Sequence, residues 1–334
     1  MSLGFIVCMI KALIRYHGII SLGRCKNIMQ IYLAPMEGIT TYIYRNALAK
    51  YYGGVDKFFT PFLANQNLNH KELNDVLPEH NTGLQVVPQI LANKADTFLE
   101  ITKRLVEFGY GQVNLNLGCP SGTVVARKRG AGFLSVPDQL DCFLEEIFSK
   151  SPLPISIKTR IGVEQMEEWE RILSVYRKYP LAELIIHPRL QKEFYRGKAH
   201  PEAYLMACEK GFGRLCYNGD ITDLVAMDAL FEGLGDHIPS AIMVGRGAIA
   251  NPALPKELAE HANSCLPKEL FRDFHNEILN GYREMMSGDQ PVLFKMKELW
   301  VYMGPYRGLT DKQMKKIRKA GSLAEYESIV DSLC

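Results

Sequence analysis

The chain has 334 residues, 47% of them hydrophobic, with 27 Gly and 17 Pro, which excludes a collagen-like, low-complexity or disordered chain and leaves enough apolar side chain to bury a sizeable core. A formal net charge of +2 excludes a global field that would draw in a polyanion, so any such partner has to be met by a local basic patch. The length suits a barrel of about 250 residues followed by a small further domain.

Eight cysteines are scattered, with no CxxC pair and no Cys/His grouping at zinc spacing. This indicates reduced thiols in a cytoplasmic protein and no metal site. Residues 1–28 are apolar, but Lys11 and Arg15 interrupt them and no signal-peptide pattern of basic start and small-residue cleavage site is present. No stretch reaches the roughly 18 uncharged apolar residues of a membrane span. Met29 directly precedes the first strand pattern, so 1–28 are set aside as an N-terminal extension outside the fold.

From Ile31 onward, short β-branched or apolar runs alternate with longer segments of helical periodicity, the pattern of repeated βα units and a parallel sheet. Strands are predicted over 31–34, 57–60, 84–89, 112–116, 155–159, 183–187, 214–218 and 241–245, and helices over segments such as 95–108 and 166–178. A doubly wound open sheet competes with a (β/α)8 barrel. The barrel is favoured because Gln89, Asn116 with Cys119, Lys158, His187, Asn218 with Asp220, and Arg246 all fall at or just past the C-terminal end of a predicted strand. Barrel enzymes carry their chemistry on that face. The strand pattern stops after Pro255. The predicted α/β organisation is therefore a TIM barrel over 29–263, then a small C-terminal helical domain over 264–334, with a linker over 264–268 and helices near 269–287, 292–302 and 311–333.

LAPMEGIT (33–40) closes the first strand with a Pro and a small-residue turn, which taken alone fits an ordinary βα turn as well as a close approach to a flat ligand. VNLNLGCPSG (113–122) delivers Asn116 and then a Gly-Cys-Pro turn. A lone Cys is usually a small buried hydrophobe, but this one lies in a loop at the barrel mouth and is favoured as reactive. SIKTRIG (156–162) puts Lys158 inside an apolar strand, where a charge is costly unless it faces a ligand or counter-ion. It suits a Schiff-base nucleophile, a fixed cation beside an electron-rich cofactor, or a salt-bridged core residue. In IIHPR, His187 ends an apolar strand, a place more often structural than catalytic. YNGDI (217–221) and MVGRGAIANP (243–252) close the last two strands with Gly-containing turns, the usual phosphate site of barrels, with Arg246 supplying charge. Gly245, Gly247 and Ala250 also match GxGxxA, but on the eighth strand and with Arg at the crowded second position, so a Rossmann domain is rejected. Basic residues cluster at Arg127, Lys128 and Arg129, over 189–198 and over 312–319, with Lys295 and Lys297 near Trp300 and Tyr302. Two of these clusters follow strands four and six and so rim the same mouth as Cys119.

Taken in order, APMEG, VPQI, NLNLGCPS, SIKTRIG, IIHPR, YNGDI and VGRGA resemble the motif series of the tRNA-dihydrouridine synthases from about Ile31 to the C-terminus. The resemblance implies an FMN-dependent enzyme that reduces the C5=C6 bond of selected uridines in tRNA, with NADPH as electron source and a helical domain that helps grip tRNA. By matching position it implies that Pro35, Met36 and Glu37 line the flavin and that Gln89 hydrogen-bonds its ring. Lys158 would lie at the ring edge, and His187, Asn218, Gly219, Asp220, Gly245 and Arg246 would hold the phosphate. Asn116 would sit between flavin and uracil, Cys119 would be the general acid, and Arg127, Lys128, Arg129, Lys295, Lys297, Lys315, Lys316 and Lys319 would meet tRNA. Pro188 stands where the family usually has Gly, and the loop that follows fits its pattern loosely. The chemistry is coherent: hydride at uracil C6 leaves an enolate that needs a proton at C5, and a thiol that stays protonated can supply it. A paired base has first to be flipped out of its stack. The competing readings are a flavin reductase of free pyrimidines, a Schiff-base lyase using Lys158, and a non-catalytic RNA-binding module, which leaves Cys119 and Lys158 unexplained. A monomer is expected.

Overall fold

The computed structural model describes residues 29–333, and the expected N-terminal extension, 1–28, lies outside the described residues. Nine parallel strands are present among them: β1 (Gln30–Leu33), β2 (Lys57–Phe59), β3 (Val86–Val87), β4 (Gln89–Ile90), β5 (Val113–Leu117), β6 (Ile155–Thr159), β7 (Leu184–Ile186), β8 (Leu215–Tyr217) and β9 (Ala241–Val244). Their order is β3-β2-β1-β9-β8-β7-β6-β5-β4. The two ends of that order, β3 and β4, are halves of a single predicted strand separated by Pro88, which has no N–H to give to a ladder. The Pro88 carbonyl still accepts from Asn114 N at 2.9 Å, so the sheet comes round on itself as eight staves. All eight predicted strands are found, and the barrel rather than the open sheet is the architecture.

Side chains alternate between two cores. Tyr32, Ala34, Phe59, Val87, Ile185, Cys216, Ala241 and Met243 form a cluster inside the barrel. The larger core lies between the staves and the surrounding helices. Helix Ala95–Glu107 shows why: its buried positions Phe98, Ile101, Thr102 and Leu105 recur at three- and four-residue spacing. The lower end of the barrel holds a buried ion pair, Lys57 Nζ to Glu183 at 3.2 Å. Tyr32 donates its hydroxyl to the same carboxylate at 2.8 Å, and the Lys57 ammonium lies 4.6 Å from the Tyr32 ring centre.

After helix Leu254–Glu260 the chain is helical: Lys268–Met285, Asp289–Tyr306, Asp311–Lys319 and Leu323–Asp331. The single helix expected over 311–333 is two. The first ends at Lys319, Gly321 follows, and Ser322 caps the second by accepting from Glu325 N at 3.2 Å. This region packs on the barrel through Phe274, whose ring meets Tyr44 and Tyr52 edge-on, and through Tyr282, whose hydroxyl pairs with Thr41 at 3.1 Å. Among the described residues no helix is long and apolar enough to cross a membrane.

The helical region is centred on a buried polar relay. Trp300 Nε1 donates to Tyr326 Oη at 2.7 Å, and Tyr326 Oη pairs with His275 Nε2 at 2.6 Å. Burial lowers the pKa of His275 from its ordinary 6.5, against the opposing effects of the Asn276 side chain and the charges of Asp331 and Glu327. A lowered folded pKa means that the unfolded chain binds the extra proton first, so stability is present above about 6.5 and is lost as pH falls below it. We expect the stability advantage of the parent over His275→Gln to shrink between pH 7 and pH 5. Thermal midpoints of both proteins measured against pH check this, and a gap independent of pH would refute it.

Candidate functional site

At the C-terminal ends of the strands, a cavity of about 340 Å³ opens among Pro35, Met36, Lys158, His187, Asn218 to Asp220, and Gly245 to Gly247. Its floor is built by close backbone approach. A Cβ on Gly247 would lie 2.7 Å from the Ile221 carbonyl, so the turn after β9 can press against the turn after β8 only with glycine there. Asn218 locks the same pair of turns by donating to the Met243 carbonyl at 2.7 Å. Asp220 adopts φ +49°, a left-handed conformation that Asp tolerates better than most residues. It is held there by Arg189, by Arg246 at 3.3 Å and by the Ala199 N–H at 3.0 Å.

Lys158 and Arg246 line the cavity, and Arg160 and Arg189 are buried outside its lining. Lys158, Arg160, Arg189 and Arg246 all act on His187, and Asp220 is the carboxylate in direct contact with the group. Burial first, then these four charges, push the His187 pKa well below 6.5. The imidazole is therefore neutral, with Nε2 accepting from Arg189 Nη1 at 3.2 Å. Lys158 has no carboxylate within salt-bridge distance among the described residues. Burial, then the Arg160 charge, bring its pKa down from 10.5 to about 8. Arg160 is turned to structure: Nε donates to Gly118 O at 3.0 Å, Nη1 to Leu190 O at 2.7 Å and Nη2 to Phe194 O at 2.5 Å. The last two bonds pin the loop that carries Tyr195. Its ring lies between the Arg160 and Arg246 guanidinium groups, at 5.3 and 4.7 Å.

One stave away, Asn116 is buried on β5 directly opposite Lys158 on β6. Its Oδ1 accepts from Gly118 N at 3.0 Å and Cys119 N at 2.9 Å, which shapes the Gly-Cys-Pro turn. Gly130, at φ +53°, packs so close that a Cβ there would sit 2.8 Å from the Cys119 carbonyl. Cys119 is thereby half-covered. Burial raises its pKa above 9.0, with a smaller push from Glu37, and this outweighs the Ser121 N–H and the charges of Arg160 and Lys158. The group is a thiol at neutral pH.

Of the residues expected at the cofactor, Pro35, Met36, Lys158, His187, Asn218, Gly219, Asp220, Gly245 and Arg246 share the cavity wall. Glu37 points instead to Lys71, with which it forms an ion pair at 2.5 Å. Gln89 lies beneath Asn116 with 1% exposure and has protein partners at both ends of its amide. Arg127 and Lys128 are exposed and Arg129 is half-buried on the segment after β5, and Lys315, Lys316 and Lys319 are exposed on helix Asp311–Lys319. Lys295 and Lys297 have protein partners: Lys295 donates to Gly38 O at 2.9 Å, and Lys297 to Ala320 O. Sequence reasoning missed Arg160, Tyr195 and Tyr302, and placed Arg189 only in a basic rim cluster rather than against His187 and Asp220. The arginines stand two positions after Lys158 and His187 in the same motifs, so inward alternation was an available signal. Tyr302 reaches the wall from helix Asp289–Tyr306, and nothing local to its sequence points there.

The family model described as dihydrouridine synthase matches residues 32–303. A "Probable tRNA-dihydrouridine synthase" of Staphylococcus aureus (strain COL) is 29% identical over 313 residues, covering 90% of this chain and 91% of its own length. A "Probable tRNA-dihydrouridine synthase 2" of Bacillus subtilis (strain 168) is 31% identical over 257 residues, 73% of this chain and 78% of its own.

The uncompensated Lys158 leads to a stability prediction. With a folded pKa of about 8 against an ordinary 10.5, the charged form is a cost to the ligand-free fold below pH 8, and the cost fades as pH rises from 8 to 10.5. Lys158→Met should therefore raise the thermal midpoint of ligand-free protein at pH 7 by on the order of a few degrees, with the gain vanishing by about pH 10. A midpoint lowered at pH 7 would show that the ammonium is already compensated.

Proposed function

The chain belongs to the dihydrouridine synthase family, and we propose that it reduces the C5=C6 bond of specific uridines in tRNA to 5,6-dihydrouridine, with FMN as cofactor, NADPH as electron source and Cys119 as proton donor. The observation that carries this reading is the juxtaposition of a cationic wall lacking carboxylate compensation at Lys158 with a neighbouring thiol kept protonated by burial. The wall suits an anionic, electron-rich group, and the thiol suits a carbanion or enolate that needs a proton.

FMN, when bound, supplies the hydride for uracil C6. Arg246, with the backbone of the turns after β8 and β9, fits the phosphate, since a guanidinium offers two parallel donors and stays charged. Asp220 ties Arg246, on the cavity wall, to the buried Arg189, and the remaining donors of Arg246 are left for a ligand. Lys158 holds a positive charge at the inner wall. Neutral His187 adds a polar surface without further repulsion among the cations. Cys119 gives its S–H proton to C5 of the uracil as the C5=C6 bond accepts hydride at C6. The resulting thiolate recovers a proton from water, so hydride and proton balance across the reduced bond. Exposed Arg127, Lys128, Lys315, Lys316 and Lys319, with half-buried Arg129, provide the local basic surface that tRNA needs in a chain of +2 net charge. Lys295 and Lys297 serve that surface indirectly, by fixing the helix and turn they tie together.

Arg246→Ala should purify largely free of flavin yet folded, read from the visible absorption spectrum against circular dichroism. Full flavin content would move the phosphate elsewhere. Cys119→Ala separates the half-reactions: reduction of bound flavin by NADPH should proceed near the parent rate, while dihydrouridine formation falls by about two to four orders of magnitude. Cys119→Ser should be nearly as slow because a hydroxyl is a much weaker acid. Stopped-flow reduction, then mixing with unmodified tRNA and counting dihydrouridine, checks both, and parental product formation by either variant would remove the thiol from the mechanism.

A further inference from the structure

Inside the barrel, beneath the mouth, four side chains form one hydrogen-bonded chain whose direction is fixed at both ends. At the upper end, Gly118 N and Cys119 N can only donate, so Asn116 must present Oδ1 to them, at 3.0 and 2.9 Å. Asn116 Nδ2 then donates to Gln89 Oε1 at 2.7 Å, Gln89 Nε2 to Asn114 Oδ1 at 2.7 Å, and Asn114 Nδ2 to Ser156 Oγ at 2.9 Å. At the lower end the Ser156 hydroxyl gives its single proton to the Val113 carbonyl at 3.2 Å, which can only accept. No amide in the chain can flip without placing like against like: Asn116 and Gln89 would lose both contacts, and Asn114 would set donor against donor at Gln89 and draw the Ser156 proton away from Val113. The sheet register builds this: Gln89 stands directly opposite Asn114, and Asn114 opposite Ser156. Gln89, Asn114 and Ser156 are 1% exposed or less, so no water substitutes for a missing partner.

We propose that Asn114 and Ser156, which belong to neither the cavity wall nor the thiol turn, are positioning residues that hold Cys119 in place through Gln89 and Asn116. The Gly-Cys-Pro turn has three other tethers, Arg160 Nε to Gly118 O at 3.0 Å, Ala131 N to Cys119 O at 3.0 Å and Gln191 Nε2 to Pro120 O at 3.2 Å. All three grip carbonyls. The two N–H groups at the foot of the turn are gripped by Asn116, and the Asn116 rotamer is held by an amide chain that ends on Ser156. Loss of Asn114 as acceptor frees the Gln89 amide, which in turn releases Asn116 and lets the turn shift. A misplacement of about 1 Å in a reacting group slows a reaction by up to a hundredfold.

This inference rests on the reading of Cys119 as proton donor, and its test is arranged so that the two can fail separately. Asn114→Leu keeps the side-chain shape and removes both hydrogen bonds; Ser156→Ala removes only the lower anchor and is the smaller insult should the first variant fold poorly. In the flavin-loaded protein, both should keep parental flavin content and KM for tRNA while kcat falls between about ten- and a hundredfold. The readout independent of activity is alkylation of the Cys119 peptide by iodoacetamide against pH, followed by mass spectrometry. The charged groups acting on that thiol are Glu37, Arg160 and Lys158, none of which is altered. Both variants should alkylate faster and with a midpoint shifted to lower pH, as the loosened thiol loses its burial. A folded variant with the parental alkylation profile and kcat overturns the proposal. If Cys119→Ala makes product like the parent while both variants still shift the alkylation profile, the proton-donor reading fails and the control of the turn by Asn114 stands.

Discussion

A positive charge held inside the barrel without a counter-ion among the described residues is the constraint on which the arrangement of the mouth depends. Lys57 and Lys158 both stand on barrel strands, and the contrast between them defines the upper one. Lys57, at the lower end, has Glu183 at 3.2 Å, and that carboxylate is held again by Tyr32; removing water from this pair is compensated locally. Lys158 lines the cavity instead, opposite an asparagine and, among the described residues, with no acid at salt-bridge distance. Desolvation lowers its pKa to about 8, yet it remains cationic at neutral pH. A fold that tolerates such a charge leaves part of its stability to be recovered when an anionic or electron-rich group arrives.

The neighbours of Lys158 are arranged so that this charge is not neutralised beforehand. Asp220 is drawn to the two arginines on the far side of the cavity, and Glu37 is drawn outward to Lys71. His187 is kept neutral by burial and by the cations around it. Beneath Asn116 the strands carry amides and a hydroxyl, which supply hydrogen bonds without adding charge. The helical region takes part as well: Lys295 holds the turn after β1 through the Gly38 carbonyl, and Tyr302, two turns along the same helix, contributes to the cavity wall. Helix Asp289–Tyr306 thus braces the turn after β1 and lines the cavity at once.

The barrel was legible because parallel strands buried on both faces read as short apolar runs, and eight such runs match the eight staves. Their boundaries failed where backbone chemistry intervened, at Pro88, which splits one strand, and around Gly321 and Ser322, which break the last helix. The site was legible as far as each strand end delivers its own side chain, as with Lys158, His187, Asn218 and Arg246. Partner choice was not. The sequence places Glu37, Lys295 and Lys297 near the mouth, but only the fold shows which protein group each one meets. Arg160 was read only as a member of its motif and Arg189 only as part of a basic rim, although they lie two positions beyond Lys158 and His187 and both act on that histidine from buried positions. Tyr302 comes from a helix whose docking no local pattern encodes.

The same cations that suit an electron-rich ligand work against an acid beside it, because Arg160 and Lys158 both favour the Cys119 thiolate. A proton donor in this place needs a stronger opposing effect, and burial is the largest contribution to its raised pKa. That burial comes from the segment after the cysteine, which can close over it only because Gly130 carries no Cβ and adopts φ +53°. Covering the thiol also narrows the paths by which its turn can move. The amide chain from Ser156 to Asn116 then fixes the remaining freedom with neutral groups. A carboxylate in the position of Gln89 or Asn114 could accept the bond from its upper neighbour but has no proton to donate to the lower one, and it would place a negative charge near Lys158 and weaken the field there. Amides meet both requirements at once, bonding the thiol turn through Asn116 while adding no charge beside Lys158.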